Sequence, residues 1–326
     1  MLRAPNTQKA IFVPRIRNVP WPIHSERYYL CRVTIHPEQP KDADLTKVPK
    51  EFHKHAKVFS EQQSQRLPKR TVWDHAIELL LNAPKSLAGR LLRLPQDEIR
   101  EIDKFTAEHL QRGTIRVGKG PYAASFFFVK KADRKLQPVQ DYRPLNKYTK
   151  KNRNVSPLIP QVIDRLAGCT LFTKFNIRWG YNNIRIKEGD KWKVAFLTPQ
   201  GLFEPLVMFF GLTNSPATFQ AMMNEIFRME VAQGWLSVYM DDIAIHTKPF
   251  EGESEEQHEQ RHKQLTHQVL EKLETHDLYL KPEKCEFLKR EIEYLGVIVG
   301  NGVLKMNPKK LESIKNWAVP KSPTEI

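Results

Sequence analysis

The sequence predicts an α+β fold, because segments with helical spacing of apolar residues alternate with pairs of β-rich segments joined by turn residues. The composition agrees with a folded chain: 40% of the residues are hydrophobic and 27% are charged, which is typical of globular rather than disordered proteins. A length of 326 residues suits one large domain or two modest ones, and either can bury a full core.

The first part of the predicted core contains a long helix followed by a hairpin. Apolar residues within 96–112 stand at near-helical spacing: Ile99, Ile102, Phe105 and Leu110. Gly113 follows as a helix stop. Segments 125–131 and 137–143 are β-rich and flank the short polar stretch 132–135, which predicts a hairpin.

The later elements follow the same rules of capping, turn and periodicity. Asn214 before Ser215-Pro216 predicts a helix start, and this helix is expected to continue to Gly234. The other predicted elements are, in chain order, a helix at 160–167, a β-rich run at 170–177, a hairpin of 193–198 and 202–208 around Pro199-Gln200-Gly201, a hairpin of 235–241 and 243–247, a charged helix at 255–276, a final hairpin of 285–288 and 293–299, and a helix opened by Asn307-Pro308.

The chain is strongly basic, with 52 Lys and Arg against 37 Asp and Glu, a formal charge of +15. Its pI near 9.6 favours a polyanionic partner such as nucleic acid. Cys31, Cys169 and Cys285 form no CxxC pair, so a disulfide framework and a cysteine-rich zinc site are not expected. No apolar signal core and no run of about 18 apolar residues occurs, so we expect an intracellular protein of the cytoplasm or nucleus with no membrane partner.

Two adjacent aspartates, Asp241 and Asp242, interrupt an otherwise strand-forming segment at 238–245. Asp is disfavoured in strands and the two like charges repel, which indicates a functional site rather than a structural one. A divalent cation would relieve this conflict, because hard carboxylate oxygens at a hairpin tip are suitable ligands for Mg²⁺. The alternative interpretation is a surface hairpin with two solvated acids.

The segments around these aspartates resemble the reverse transcriptases of gypsy-class long-terminal-repeat retrotransposons. The matching segments, in the family's order, are 140–146 (QDYRPLN, similar to DYRxLN), 172–181 (FTKFNIRWGY, the first catalytic strand), 209–220 (FFGLTNSPATFQ, similar to FGLxNxPxxFQ), 239–242 (YMDD, similar to YxDD) and 293–296 (EYLG, the primer-grip hairpin). Segments 178–183 and 203–212 are similar to those of fungal relatives. Several ordered motifs over most of a chain are far more specific than one short match.

The resemblance implies a right-hand polymerase and an RNA-directed DNA polymerase activity. Fingers and palm are expected over 67–300, with the core motifs in 113–300. A basic, loosely ordered leader or linker is expected at 1–66, with a short helix near 49–59, and the truncated start of a thumb at 301–326. The implied partners are an RNA or DNA template-primer and dNTPs, and the implied cofactors are two Mg²⁺ ions, with Mn²⁺ as a substitute. The chain is expected to be a piece of a longer polyprotein, and the sequence predicts no particular oligomeric state.

The resemblance also assigns roles to individual residues. Asp241 and Asp242 are the implied catalytic and metal-binding carboxylates, with the backbone carbonyl of Ile177 as a further metal ligand. The implied nucleotide-binding residues are Lys130, Lys131, Gln137, Tyr181 beneath the sugar, Phe210 and Gly211. The implied primer grip contains Tyr294, Leu295 and Gly296.

The chain departs from the family pattern at two of these positions. Asn176 stands where the family has the first catalytic aspartate, and Gln137 stands where it usually has an arginine that grips the triphosphate. An asparagine lacks the negative charge and presents amide donors to a cation, and a glutamine supplies no cationic fork to phosphate. The hypothesis is a copy that folds as a reverse transcriptase but polymerises poorly or not at all. Its alternative from another class is a catalytically silent nucleic-acid-binding remnant.

A remote alternative is a zinc metalloprotease, because residues 258–262 (HEQRH) fit the HExxH pattern. In that interpretation His258 and His262 bind the metal beside Glu259 as general base. The competing interpretation is a polar helix face, since glutamates crowd the approach and no third ligand is identifiable.

Overall fold

The computed structural model describes residues 44–130, 136–152, 157–300 and 303–306, together with the single residues 308 and 312. Lys131, the predicted turn at 132–135 and most of the predicted thumb start lie outside the described residues. The same holds for residues 1–43 of the predicted leader and for most of the helix expected after Asn307.

The described residues form twelve strands and seven α-helices. This combination of helices with mainly antiparallel strands agrees with the predicted α+β fold. The strands are β1 Ile115–Val117, β2 Ala124–Lys130, β3 Leu136–Asp141, β4 Leu171–Asn176, β5 Phe196–Thr198, β6 Gly201–Pro205, β7 Leu236–Tyr239, β8 Asp242–Thr247, β9 Glu286–Lys289, β10 Glu291–Tyr294, β11 Val297–Gly300 and β12 Val303–Met306. The helices are α1 Glu61–Ser64, α2 Gln96–Gln111, α3 Arg143–Asn146, α4 Ile159–Leu166, α5 Ser215–Ile226, α6 Arg228–Ala232 and α7 Glu255–Thr275. Four 3-10 helices cover Lys50–Phe59, Gly180–Asn183, Lys191–Val194 and Pro282–Lys284.

The strands form three sheets. A five-stranded sheet has the order β1-β6-β5-β2-β3 and contains two of the predicted hairpins, β2–β3 and β5–β6. A four-stranded sheet has the order β7-β8-β4-β9, and its central strands β8 and β4 carry the motif residues. A three-stranded sheet, β10-β11-β12, completes the set. A main hydrophobic core joins the first two sheets, and a smaller core lies under the third.

The predicted final hairpin of 285–288 with 293–299 is wrong. Strand β9 pairs with β4 of the four-stranded sheet, and the hairpin is instead formed by β10 and β11. The β-rich character of both segments is correct, but β9 buries Phe287 against the main core, which outweighs pairing with its neighbour in sequence.

The predicted long helix from Asn214 to Gly234 is two helices that meet at Phe227, whose φ of −109° and ψ of 23° interrupt the first. Asn214 occupies the N-cap position of α5 without capping it through its side chain. Its side chain instead accepts a hydrogen bond from the Asn152 N–H at 2.9 Å and donates to the Lys150 carbonyl oxygen at 2.9 Å. The residue therefore connects the helix to the segment after α3.

The predicted boundary of the leader at residue 66 is too late. The N-terminal segment, which we define as residues 44–66, contains the 3-10 helix Lys50–Phe59, and that helix buries Phe52, Val58 and Phe59 in the main core. The Phe52 ring stacks on Phe287 of β9 with centroids 5.2 Å apart. The segment is thus part of the palm core rather than a loosely ordered leader.

Candidate active site

The two predicted carboxylates lie at the tip of the β7–β8 hairpin, beside the end of β4. Tyr239 pairs with Asp242, so Met240 and Asp241 form a two-residue turn in which Met240 has a φ of 53°. Asn176, the last residue of β4, lies directly opposite Asp242. The Ile177 N–H donates to the Asp241 carbonyl oxygen at 2.8 Å, which fixes the turn against the end of β4.

The Asn176 side chain is a hydrogen-bond donor to both carboxylates. Its Nδ2 lies 3.0 Å from Asp242 Oδ1 and 3.3 Å from Asp241 Oδ2. Asn176 is 6% exposed, and its Oδ1 atom is buried without a hydrogen-bond partner. An unpaired buried acceptor is costly, so the contacts of the amide with the two anions must outweigh this cost.

This arrangement does not fit two divalent cations. The amide N–H groups occupy carboxylate oxygens that a metal would need, and an amide donor repels a cation. Rotating the amide by about 180° would present Oδ1 to the carboxylates, but it would break both hydrogen bonds. In the part of the chain that the structure describes, no group of three or more His, Cys, Asp or Glu side chains is placed to hold a metal ion. The Ile177 carbonyl remains a prediction as a further ligand.

The Met240–Asp241 turn is held by Gln220, which the motifs do not single out as a site residue. Gln220 lies on α5 and is 2% exposed. Its Oε1 accepts a hydrogen bond from the Met240 N–H at 2.7 Å, and its Nε2 donates to the Val238 carbonyl oxygen at 3.2 Å. The signal available in the sequence was a glutamine among apolar helix positions. The sequence gives no indication that this glutamine contacts Met240, 20 residues further on.

The predicted nucleotide-pocket residues Tyr181 and Phe210 lie together near this turn. Their ring centroids are 5.0 Å apart, and Phe210 is 56% exposed. Burial raises the pKa of Tyr181, and the charge of Asp241 raises it further, which places the phenol in the electrostatic field of the Asp241 carboxylate. An exposed aromatic ring beside a half-buried tyrosine can form one wall of a pocket for a planar or sugar-bearing ligand.

Gly211 follows Phe210 with a φ of +95°, a conformation that suits glycine. Asn146 clamps this loop: its Nδ2 donates to the Gly211 carbonyl oxygen at 2.7 Å, and its Oδ1 accepts from the Thr213 N–H at 3.0 Å. The DYRxLN and FGLxNxPxxFQ segments are therefore joined through Asn146.

Lys130 and Gln137 lie on the β2–β3 hairpin of the fingers. Lys130 is the exposed end of β2 and pairs with Leu136, whereas Gln137 is half-buried opposite Val129. The described contacts do not connect either residue to the carboxylates, so their roles at the phosphates remain predictions. Lys131 lies outside the described residues.

The predicted primer-grip residues have different environments. Tyr294 is fully buried, and its hydroxyl lies 3.2 Å from the Asp242 carbonyl oxygen and 3.4 Å from that of Ser237. Its side chain therefore packs behind the β7–β8 hairpin, and its burial leaves it no surface to contact a primer. Leu295 and Gly296 form the β10–β11 turn with φ values of 51° and 83°, and for these two the primer-grip role remains a prediction.

The two histidines of the HExxH pattern are structural. His258 Nε2 and His262 Nδ1 each lie 2.8 Å from Thr247 Oγ1, and His262 Nε2 lies 3.0 Å from Thr173 Oγ1. Burial lowers the pKa of His262 to about 3, so it is neutral in the fold. Glu259 pairs with Lys263 at 2.7 Å. The ring nitrogens that zinc would need thus hold α7 to the four-stranded sheet, which argues against the metalloprotease interpretation.

Comparison with known proteins agrees with this geometry. Residues 129–299 match the family described as reverse transcriptase (RNA-dependent DNA polymerase). The chain belongs to this reverse transcriptase family. The match confirms the recognition made from the motifs. Members of this family generally use divalent metal ions.

Two similar relatives are the Tf2-3 and Tf2-7 transposon polyproteins of Schizosaccharomyces pombe. Each is 31% identical over 304 residues, which cover 93% of this chain and 22% of the relative. The chain therefore spans about 22% of the length of the relatives it matches.

Among solved structures, the fold is similar to that of the foamy viral protease-reverse transcriptase. The complex with dsDNA gives a TM-score of 0.71 at 19% identity, covering 85% of this chain and 55% of that chain. The complex with RNA/DNA hybrid gives 0.70 at 19% identity, covering 84% and 35%. These likenesses confirm the α+β polymerase fold.

The described helices include none with the length and apolar character needed to cross a membrane.

Proposed function

We propose that this chain is a reverse transcriptase domain that binds RNA or DNA template-primer but is silent in two-metal nucleotidyl transfer while asparagine occupies position 176. One observation carries the proposal: Asn176 Nδ2 donates to both Asp241 and Asp242, within 3.3 Å of each. One oxygen of each carboxylate thereby accepts a hydrogen bond from the protein itself. The pocket formed around Tyr181 and Phe210 would still be open to dNTP binding.

Nucleic-acid binding is supported by two independent features. The formal charge of +15 suits a polyanion, because contacts to phosphate need only Lys and Arg and release counterions. The similar foamy viral enzyme holds RNA/DNA hybrid and dsDNA in its structures. Neither feature requires a metal at the carboxylates, so binding and catalysis are separable here.

The test is primer extension on an RNA template, first with Mg²⁺ and then with Mn²⁺, comparing the parent with Asn176→Asp and Asp241→Ala. Asn176→Asp adds one negative charge and removes the amide donors. We expect it to raise the extension rate on the order of 100-fold or more, the range associated with one electrostatic group in an active site.

Template-primer affinity, measured by fluorescence anisotropy at one fixed salt concentration, serves as the control. We expect the parent and Asn176→Asp to bind equally within about twofold, because the change lies away from the phosphate contacts that dominate affinity. Robust extension by the parent that is lost in Asp241→Ala would contradict the silent-enzyme proposal. If the parent does not bind template-primer, the proposal of a nucleic-acid partner is contradicted.

A further inference from the structure

Lys281 lies directly opposite Asn176 in the neighbouring extended segment. Ile177 and Leu280 form an antiparallel bridge. The Lys281 N–H donates to the Asn176 carbonyl oxygen at 3.0 Å, and this register pairs the two residues. Opposite residues in an antiparallel pair project to the same face, with Cβ atoms about 4.5–5.5 Å apart. Ile177 and Leu280 are fully buried on the other face.

The same face carries Asp242 on the far side of Asn176. Because Asn176 pairs with Asp242 of β8 and with Lys281 of the segment before β9, three side chains form one row across three adjacent strands. Its order is ammonium, amide, carboxylate. The Asn176 amide points toward the carboxylates, so the lysine side chain begins next to the position where a metal-binding carboxylate would stand.

The Lys281 ammonium interacts electrostatically with Asp241 and Glu283 but forms no ion pair with a carboxylate of the described residues. Among the hydrogen bonds and ion pairs of the described residues, none ends on its Nζ, and the side chain is half-buried. Burial lowers its pKa and Lys284 lowers it further, while the Asp241 carboxylate acts in the opposite direction. The Lys281 ammonium and the Asp241 carboxylate therefore attract each other.

We propose that Lys281 is a second determinant of the silent site, and that its positive charge opposes divalent-cation binding at Asp241 and Asp242 independently of Asn176. This inference rests on the proposed function, which assigns the weak metal site to Asn176. Two carboxylates and one ammonium leave a formal charge of −1 where two divalent cations would have to be held. Replacing Asn176 with aspartate brings this to −2, and neutralising Lys281 as well brings it to −3.

The experiment measures Mn²⁺ affinity by electron paramagnetic resonance of free Mn²⁺, without nucleic acid or dNTP, on the full chain. The variants are Asn176→Asp, Asn176→Asp with Lys281→Gln, and Asn176→Asp with Lys281→Arg. We expect Lys281→Gln to tighten Mn²⁺ binding on the order of tenfold relative to Asn176→Asp alone, since one nearby charge acts on a divalent ion. Lys281→Arg keeps the charge and is expected to leave the affinity within about twofold of Asn176→Asp.

Lys284→Gln in the Asn176→Asp background is the matched control. It removes the same charge three residues further along from an exposed side chain, where solvent screening leaves little effect. The proposal is overturned if Lys281→Gln leaves Mn²⁺ affinity unchanged, weakens it, or tightens it no more than Lys284→Gln. A difference between the parent and Asn176→Asp tests the proposed function separately, because that comparison leaves Lys281 in place. Equal urea-unfolding midpoints establish that the variants fold alike.

Discussion

The difference between an amide and a carboxylate at position 176 changes the electrostatics around Asp241 and Asp242, because the amide donates hydrogen bonds where a carboxylate would add negative charge. A carboxylate there would add a third negative charge, and the three groups would repel each other until cations bound between them. The amide instead donates to both remaining carboxylates and stabilises the metal-free arrangement. Its unpaired Oδ1 is the visible cost of this substitution. The amide therefore joins the two carboxylates in one hydrogen-bonded cluster without a metal.

Gln220 is expected to control the shape of the Met240–Asp241 turn. In Gln220→Leu, the Met240 N–H and the Val238 carbonyl oxygen lose their buried partner, and Met240 keeps an unfavourable positive φ without support. We expect a loss of about 1–3 kcal/mol in the free energy of unfolding, measured by urea denaturation. In the Asn176→Asp background we also expect kcat for primer extension to fall while the KM for dNTP changes little.

Gln220→Glu is the matched control, because its side chain still accepts from the Met240 N–H but no longer donates to Val238. An intermediate loss of stability is expected. Equal stability of Gln220→Leu and the parent would show that the turn does not depend on this clamp.

At this scale the sequence predicted the motif residues but not their supports. Asp241 and Asp242 break a local strand rule inside an ordered set of motifs, whereas Asn176 is identified only by its motif position in the family that the chain resembles. Gln220 and Lys281 act across a helix-to-turn contact and a strand register, and neither contact leaves a local pattern in the sequence. Tyr294 was placed in the primer grip by motif position, but burial against the smaller core assigns it a supporting position.

At the scale of elements, the N-terminal segment packs against the four-stranded sheet and shares its hydrophobic core. Its 3-10 helix packs on α7 and β9 through Phe52, and the Val58 carbonyl oxygen accepts from the Leu280 N–H at 2.8 Å. Leu280 is the residue that brings Lys281 beside Asn176. The N-terminal segment therefore holds the extended strand segment that places Lys281 beside Asn176.

Truncating Phe52 tests this contribution. Phe52 is fully buried, so Phe52→Ala removes a large side chain from a packed site and is expected to lower the free energy of unfolding by about 3–5 kcal/mol. Lys50→Ala, on the exposed side of the same 3-10 helix, is the control and should stay within about 0.5 kcal/mol. A loss below about 1 kcal/mol for Phe52→Ala would contradict the assignment of this segment to the core.

Element prediction succeeded where periodicity and turn residues were strong and failed where pairing was non-local. The helix predicted at 96–112 is α2, and the hairpin around Pro199-Gln200-Gly201 is formed by β5 and β6. The pairing of β9 with β4 could not be predicted from adjacent turn residues, because the two strands are more than 100 residues apart in the chain. The N-terminal segment lacks sustained periodicity, and its burial depends on contacts with distant elements.

At the scale of the whole molecule, buried neutral histidines make stability depend on pH. Burial lowers the pKa of His75 and His246 to about 4 and that of His109 and His262 to about 3. Each of these pKa values lies below the ordinary 6.5, so the unfolded chain binds protons more readily than the folded chain. Their stabilising contribution is complete above pH 6.5 and is lost as the pH falls from 6.5 towards 4.

We therefore expect the midpoint of urea unfolding to decrease between pH 7.5 and pH 5.0. Each of the four histidines contributes a slope of up to about 1.4 kcal/mol per pH unit in this range. His262→Gln, which keeps hydrogen-bonding capacity toward Thr173 and Thr247, should show a shallower decrease than the parent. Equal midpoints for the parent at the two pH values would contradict this prediction.

Anomalous X-ray diffraction at the manganese edge tests most directly whether Asn176 prevents divalent cations from binding at Asp241 and Asp242. Crystals of the parent and of Asn176→Asp, each with template-primer and Mn²⁺, would be compared. We predict no manganese peak between Asp241 and Asp242 in the parent and at least one peak in Asn176→Asp. A peak bound by both carboxylates in the parent would contradict the account, because the amide would then have yielded its hydrogen bonds to the cation.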